Sequence, residues 1–132
     1  MSIMKTFEII IEKTNTGYSA YAKDYPVVTT GSSMAELKNN ITDALNLYFE
    51  AAGKIVTVDE RNLKITLDLP QFFEFYQVIN AKALSGRIGI NQTLLSQYVN
   101  GHKKPSQKQL SRIINGIKQL GQELSGLDLN PA

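Results

Sequence analysis

The sequence has no cysteine and no tryptophan, and its one histidine, His102, stands alone. Without cysteine there is no disulfide framework, no thiolate zinc site and no thiol nucleophile, and a single imidazole excludes a histidine-only metal cluster. Long hydrophobic runs are also missing, the apolar stretches falling far short of the roughly 20 residues that a membrane-crossing helix needs. Residues 1–14 lack the apolar centre of a signal peptide. The expectation is a soluble cytoplasmic protein with no membrane association, metal or cofactor. What is present is enough for a core: 42% of the 132 residues are hydrophobic and 20% charged, which suits one domain or two very small ones and shows no signature of disorder.

Carboxylates are unevenly spread. Residues 1–69 carry seven Lys/Arg and nine Asp/Glu, a net of −2, whereas residues 70–132 carry seven and three, a net of +4. Between Phe75 and Gln122 there is no acid at all, yet Lys82, Arg87, Lys103, Lys104, Lys108, Arg112 and Lys118 all fall there. Cations with nothing to neutralise them form an electrostatic footprint for phosphate. An ordinary solvated surface has the same composition, so the spacing of other residues has to decide.

In the first half, residues 3–12 are rich in β-branched side chains and read as a strand, Thr14-Asn15-Thr16-Gly17 supplies a turn, and Tyr18 to Lys23 reads as the returning strand. Tyr18, Ala20 and Ala22 share one face of it. After Asp24-Tyr25-Pro26, where proline blocks ladder pairing, Val27 to Thr30 reads as a third strand ending at Gly31. Ser33-Met34-Ala35-Glu36 has the form of a reciprocal capping box. Leu37, Ile41, Ala44, Leu45, Tyr48 and Ala52 then recur at helical spacing until Gly53. Leu63 to Leu69 alternates as a further strand, after a mostly polar connection over residues 54–62.

This order of hairpin, strand, capped helix and strand resembles the N-terminal domain of HicB-type antitoxins, a small truncated ribonuclease-H-like fold. The resemblance is carried by Asp24-Tyr25-Pro26, by Thr30-Gly31-Ser32-Ser33-Met34-Ala35-Glu36-Leu37, by Asn40 and by the Asp43-Ala44-Leu45-Asn46-Leu47-Tyr48 run. Where that family commonly continues the proline with Gly-Cys, this chain has Val27-Val28. Ribonuclease H chemistry itself needs converging carboxylates that share two metal ions. The only strand candidates are Glu8 and Glu12, on one face with Ile10, and Asp24 at a strand end. Solvated sheet carboxylates are the expected reading, with no catalytic residues.

In the second half, Pro70 suits a first helical turn, and residues 71–80 place Phe72, Phe73, Phe75, Tyr76, Val78 and Ile79 almost all round a helix. That helix is expected at the junction, as a core helix of the helical half or also against a second subunit. From Leu84 to Gly101 the spacing is more specific. Two short helices meet at Gly89, which supplies the bend. Ser85 is the small residue at the crossing, and Leu84, Ile88, Ile90, Leu95 and Tyr98 or Val99 make the inner face. With Asn91 as cap, Gln92, Thr93, Ser96 and Gln97 lie on the outer face, short or amide side chains able to meet base edges in a major groove. The pattern resembles the helix-turn-helix of the Cro/repressor class, including the loop His102-Lys103-Lys104-Pro105 before the next helix. Gly86, inside the first helix, departs from it. Ser106-Gln107-Lys108-Gln109 has the form of another capping box, and Leu110, Ile113, Ile114, Ile117, Leu120 and Leu124 make one stripe ending at Gly126, either the lid of the core or a dimer contact. Residues 127–132 read as a frayed tail.

The expected fold is therefore α+β: a truncated ribonuclease-H-like ββ-β-α-β domain over residues 1–69, then an all-α helix-turn-helix domain over residues 70–132. Together the two resemblances imply an antitoxin that neutralises a HicA-type ribonuclease toxin and represses its own operon by binding operator double-stranded DNA as a homodimer or larger homo-oligomer. The candidate DNA-binding residues are Asn91, Gln92, Thr93, Ser96, Gln97, His102, Lys103 and Lys104. The alternative is a stand-alone transcription regulator whose N-terminal domain senses a small ligand.

Overall fold

The computed structural model describes residues 5–129, which form four strands, five α-helices and one 3-10 turn in an α+β arrangement. Ile3 and Met4 of the expected first strand, and residues 130–132 of the expected tail, lie outside the described residues. The chain divides into two compact units, one ending at Phe75 and the other beginning at Tyr76.

In the first unit, β1 (Phe7–Thr14) and β2 (Gly17–Ala22) form the expected hairpin, and β3 (Val28–Gly31) pairs antiparallel with β2. Strand β4 (Leu63–Leu67) pairs parallel with β1, giving a mixed sheet in the order β3-β2-β1-β4. Helix α1 (Met34–Ala51) supplies the crossover and covers one face. Alternation in the strands sends Phe7, Ile9, Ile11, Ala20 and Ala22 into the core, where they meet Leu37, Ile41, Leu45 and Phe49 of α1. The buried stripe of α1 thus steps by four residues from Leu37 to Phe49. Phe49, 1% exposed, takes the place expected for Ala52, which is exposed just past the helix end. Tyr25, from the turn before β3, packs edge-on to Phe7 and Phe49 with ring centroids 5.7 and 5.1 Å away, so the Asp24-Tyr25-Pro26 turn also feeds the core.

The Ser33 hydroxyl accepts the Glu36 amide (3.1 Å) as expected, but the Glu36 carboxylate takes the hydroxyl proton of Ser32 (2.5 Å) in place of the Ser33 amide. The polar connection to β4 is better ordered than its composition suggests. Asn46 of α1 donates to the Val58 carbonyl (2.9 Å) and accepts from its amide (2.7 Å), burying the Val58 side chain. Asp59 then caps the 3-10 turn Glu60–Asn62, and hydrogen bonds from Arg61 hold its carboxyl below the usual carboxylate range.

Helix α2 (Leu69–Phe75) belongs to this first unit and not, as expected, to the helical half, and it stops at Phe75 where the sequence pattern runs on to Asn80. The physical reason lies on β1, whose last parallel partner pair is Ile11 with Leu67. Two residues further on, the Gln71 side-chain amide accepts from the Lys13 amide (2.9 Å) and donates to the Lys13 carbonyl (2.7 Å), acting as a one-residue strand.

The second unit is all-helical: α3 (Ala81–Ile88), α4 (Gln92–Val99) and α5 (Gln107–Ser125), with Leu84, Ile90, Leu95, Tyr98, Leu110 and Ile113 buried. The expected α5 stripe is graded along its length. Leu110 and Ile113 are buried, Ile114, Ile117 and Leu120 half-buried, and Leu124 is 58% exposed. Among the described residues no helix is long and apolar enough to cross a membrane.

Candidate nucleic-acid interface

Helix α3 begins where the Asn80 side chain accepts the Ala83 amide (3.0 Å) and ends at Gly89, whose φ of 71° is the left-handed conformation that side chains disfavour. The amides of Gly89 and Ile90 both return to the Ser85 carbonyl, closing the helix and turning the chain. Ser85 itself is buried, 4% exposed, and its hydroxyl is satisfied by the Lys82 carbonyl at 2.6 Å. Two residues of α5 fix this bend. Gly116 leaves room for Ile88, which a β-carbon there would overlap, and the Arg112 guanidinium donates to the Gly89 carbonyl at 2.8 Å.

After the bend, the Asn91 side chain accepts from the amides of Thr93 (2.9 Å) and Leu94 (3.2 Å), as its place in the sequence predicts. Leu95 and Tyr98 then face inward, and Asn91, Gln92, Thr93 and Ser96 are exposed. Gln97 is half-buried. The Ser96 hydroxyl is not wholly free, since it accepts from the Asn100 side-chain Nδ2 at 3.3 Å. Past α4 the chain curls back through Gly101, and the amides of His102 (2.8 Å) and Lys103 (3.2 Å) both donate to the Gln97 carbonyl. This brings the exposed His102, Lys103 and Lys104 to the C-terminal end of α4, before Ser106 caps α5 by accepting the Gln109 amide (3.1 Å).

Two cations of the expected footprint are committed inside the unit. Arg87 pairs with Glu123, which lies just beyond the acid-free stretch, so that stretch is not wholly without a neutralising partner. Arg112 serves the Gly89 carbonyl. Its role escaped the sequence because the two residues stand 23 apart and only the packing of α5 joins them. Lys82, Lys103, Lys104, Lys108 and Lys118 are exposed. The arrangement offers amide and hydroxyl groups on one short helix with ammonium groups at its end, which suits base edges flanked by phosphates.

The sheet carboxylates of the first unit fall in two places, Glu8 beside Lys23 and Glu12 near Asp68. Glu8 and Glu12 lie on the sheet face away from α1, Glu8 pairs with Lys23 at 3.3 Å, and among the described residues no three His, Cys, Asp or Glu are grouped to hold a metal. Partial burial, then Asp68, then Glu12 raise the Tyr21 hydroxyl above its ordinary pKa. No protein-family model matches the chain, and a search of curated proteins finds no match in sequence.

Proposed function

We propose that this chain is a HicB-type antitoxin. In this reading the first unit is a truncated ribonuclease-H-like domain that binds and neutralises a HicA-type ribonuclease toxin. The second is a helix-turn-helix domain that binds operator DNA as a homodimer or larger assembly and represses the operon. The observation that carries the reading is the α3–α4 pair, bent at a left-handed Gly89, with the Asn91-capped α4 presenting Gln92 and Thr93 and a cationic loop at its end. The strand and helix order of the first unit supports the other half. In this reading the chain carries out no catalytic step of its own.

One observation favours the regulator reading. Ala35, Lys38, Asn39 and Thr42 of α1, with Asp59 and Glu60, line an open cleft of about 450 Å³, bridged by the Lys38–Glu60 pair at 3.4 Å. A ligand-sensing domain would use such a cleft. The deciding experiment takes the protein, the DNA upstream of its own reading frame and the product of any short reading frame found beside it. The antitoxin reading expects a sequence-specific mobility shift and rescue of growth when both proteins are expressed. A shift that depends on a small metabolite, with a neighbour that is neither toxic nor bound, overturns it in favour of the regulator.

A further inference from the structure

Helix α1 covers one face of the first unit's sheet, and the strand register defines what lies on the other. Thr66 stands opposite Ile10, Ile10 opposite Tyr21, and Tyr21 opposite Val28, one residue from each strand. They form a transverse row about 14 Å long at roughly 4.8 Å between strands. Ile10 and Tyr21 are half-buried, and Val28 at the edge is 71% exposed. Charge on either side of the row is asymmetric. On one side Glu8 stands opposite Lys64 in the register and pairs with Lys23, leaving no excess of acid. On the other, Glu12 occupies the next outward position of β1 and Asp68 directly follows β4, where its carboxylate also accepts the Gln71 amide at 3.1 Å. The field of both acids reaches the Tyr21 hydroxyl.

We propose that the sheet face turned away from α1, centred on Tyr21 and bordered by Glu12 and Asp68, is where a cationic protein docks, seating a Lys or Arg side chain over the tyrosine ring. The inference rests on the antitoxin reading, in which the partner cleaves RNA and so carries Lys and Arg where it holds that polyanion. The chemistry matches on each count. The ring attracts a cation, Ile10 and Val28 take the aliphatic stem, and Glu12 and Asp68 take the charge. Phosphate is disfavoured on the side of the row where Glu12 and Asp68 stand. The exposed side of α1 lacks this combination: its large exposed apolar residue, Leu47, stands among Asn46, Asp43 and Glu50 with no aromatic ring.

The test uses the protein and the purified product of any short reading frame found beside its own, with affinity measured by calorimetry. Glu12→Lys and Val28→Lys should each weaken binding about ten-fold or more while leaving the mobility shift on operator DNA and the thermal unfolding unchanged. Leu47→Asp on α1 should bind as the unaltered chain does. If the unaltered chain binds, but the sheet variants bind equally well and Leu47→Asp does not, the docking face is overturned and the antitoxin reading stands. If the unaltered chain does not bind, both fall. If the sheet variants change only self-association, seen by light scattering of the chain alone, the face belongs to a second copy and the proposal is overturned. The same holds if they abolish binding of a single-stranded RNA oligonucleotide, which would make the ligand a nucleic acid.

Discussion

At the scale of single residues, side chains around α4 divide by the kind of bond they can make. Gln92 is exposed on its first turn, and an amide can bond adenine at two positions, so Gln92→Ala should cost on the order of 1–3 kcal/mol at particular base pairs only. Binding to a panel of single-base operator variants checks this. Lys103 and Lys104 are point charges at the other end of the helix. Replacing both with Ala should weaken binding to every sequence alike and flatten the plot of log affinity against log salt by about 0.9 for each phosphate no longer neutralised. An unchanged slope removes them from the interface. Arg112 belongs to a third kind, since its guanidinium serves the Gly89 carbonyl at the turn that leads into α4. Arg112→Ala should therefore lower the stability of the second unit by about 1 kcal/mol and weaken DNA binding with the salt slope unchanged, whereas removing a phosphate-binding cation would flatten it.

At the scale of elements, what was legible followed from period and punctuation. The alternation of β2, the Asn91 cap and the Gly89 bend are local signals, and each element forms where its own residues dictate. What the sequence hides depends on partners distant in the chain. Gln71 ties α2 to Lys13, 58 residues away, and no local pattern announces that an amide side chain will stand in for a strand. Ala52 fits a helical period as well as Phe49 does, and only the approach of Phe7 and Tyr25 shows which residue faces the sheet. The site was legible as residue types on a helix face, but Arg112, the Asn100 bond to Ser96 and the Arg87–Glu123 pair required the packed unit. The helical glycines give the sharpest contrast. A β-carbon at Gly86 meets nothing within 4 Å, so Gly86→Ala should stabilise the second unit by about 0.5–1 kcal/mol. Gly116→Ala has the same propensity gain but drives a methyl into Ile88, and it should destabilise by about 1–3 kcal/mol. Paired chemical denaturation of the two variants checks the difference in sign.

At the scale of the whole molecule, the division after Phe75 changes where the chain can be cut. A domain ending at Leu69 matches the sequence pattern but removes α2. It strands the Lys13 amide and carbonyl, which the Gln71 side chain satisfies in the intact protein. It also removes Phe75, whose ring lies 5.4 Å from the Lys13 ammonium. Unpairing a strand end costs about 1–3 kcal/mol, a large share of the stability of a sheet-and-helix unit with so small a core. Fragments 1–75 and 1–69 should therefore both bind the proposed protein partner when folded. The longer one should unfold cooperatively at the higher temperature, and Gln71→Ala in it should reproduce much of the deficit of the shorter. Neither should shift operator DNA, because every candidate base-reading and phosphate-binding residue lies in the second unit. Equal melting of the two fragments would show that α2 contributes nothing to the sheet it is bonded to. A well-folded 1–75 fragment with no affinity for a partner that the full chain binds would show that recognition needs the second unit, and the proposed division of labour would fail with it.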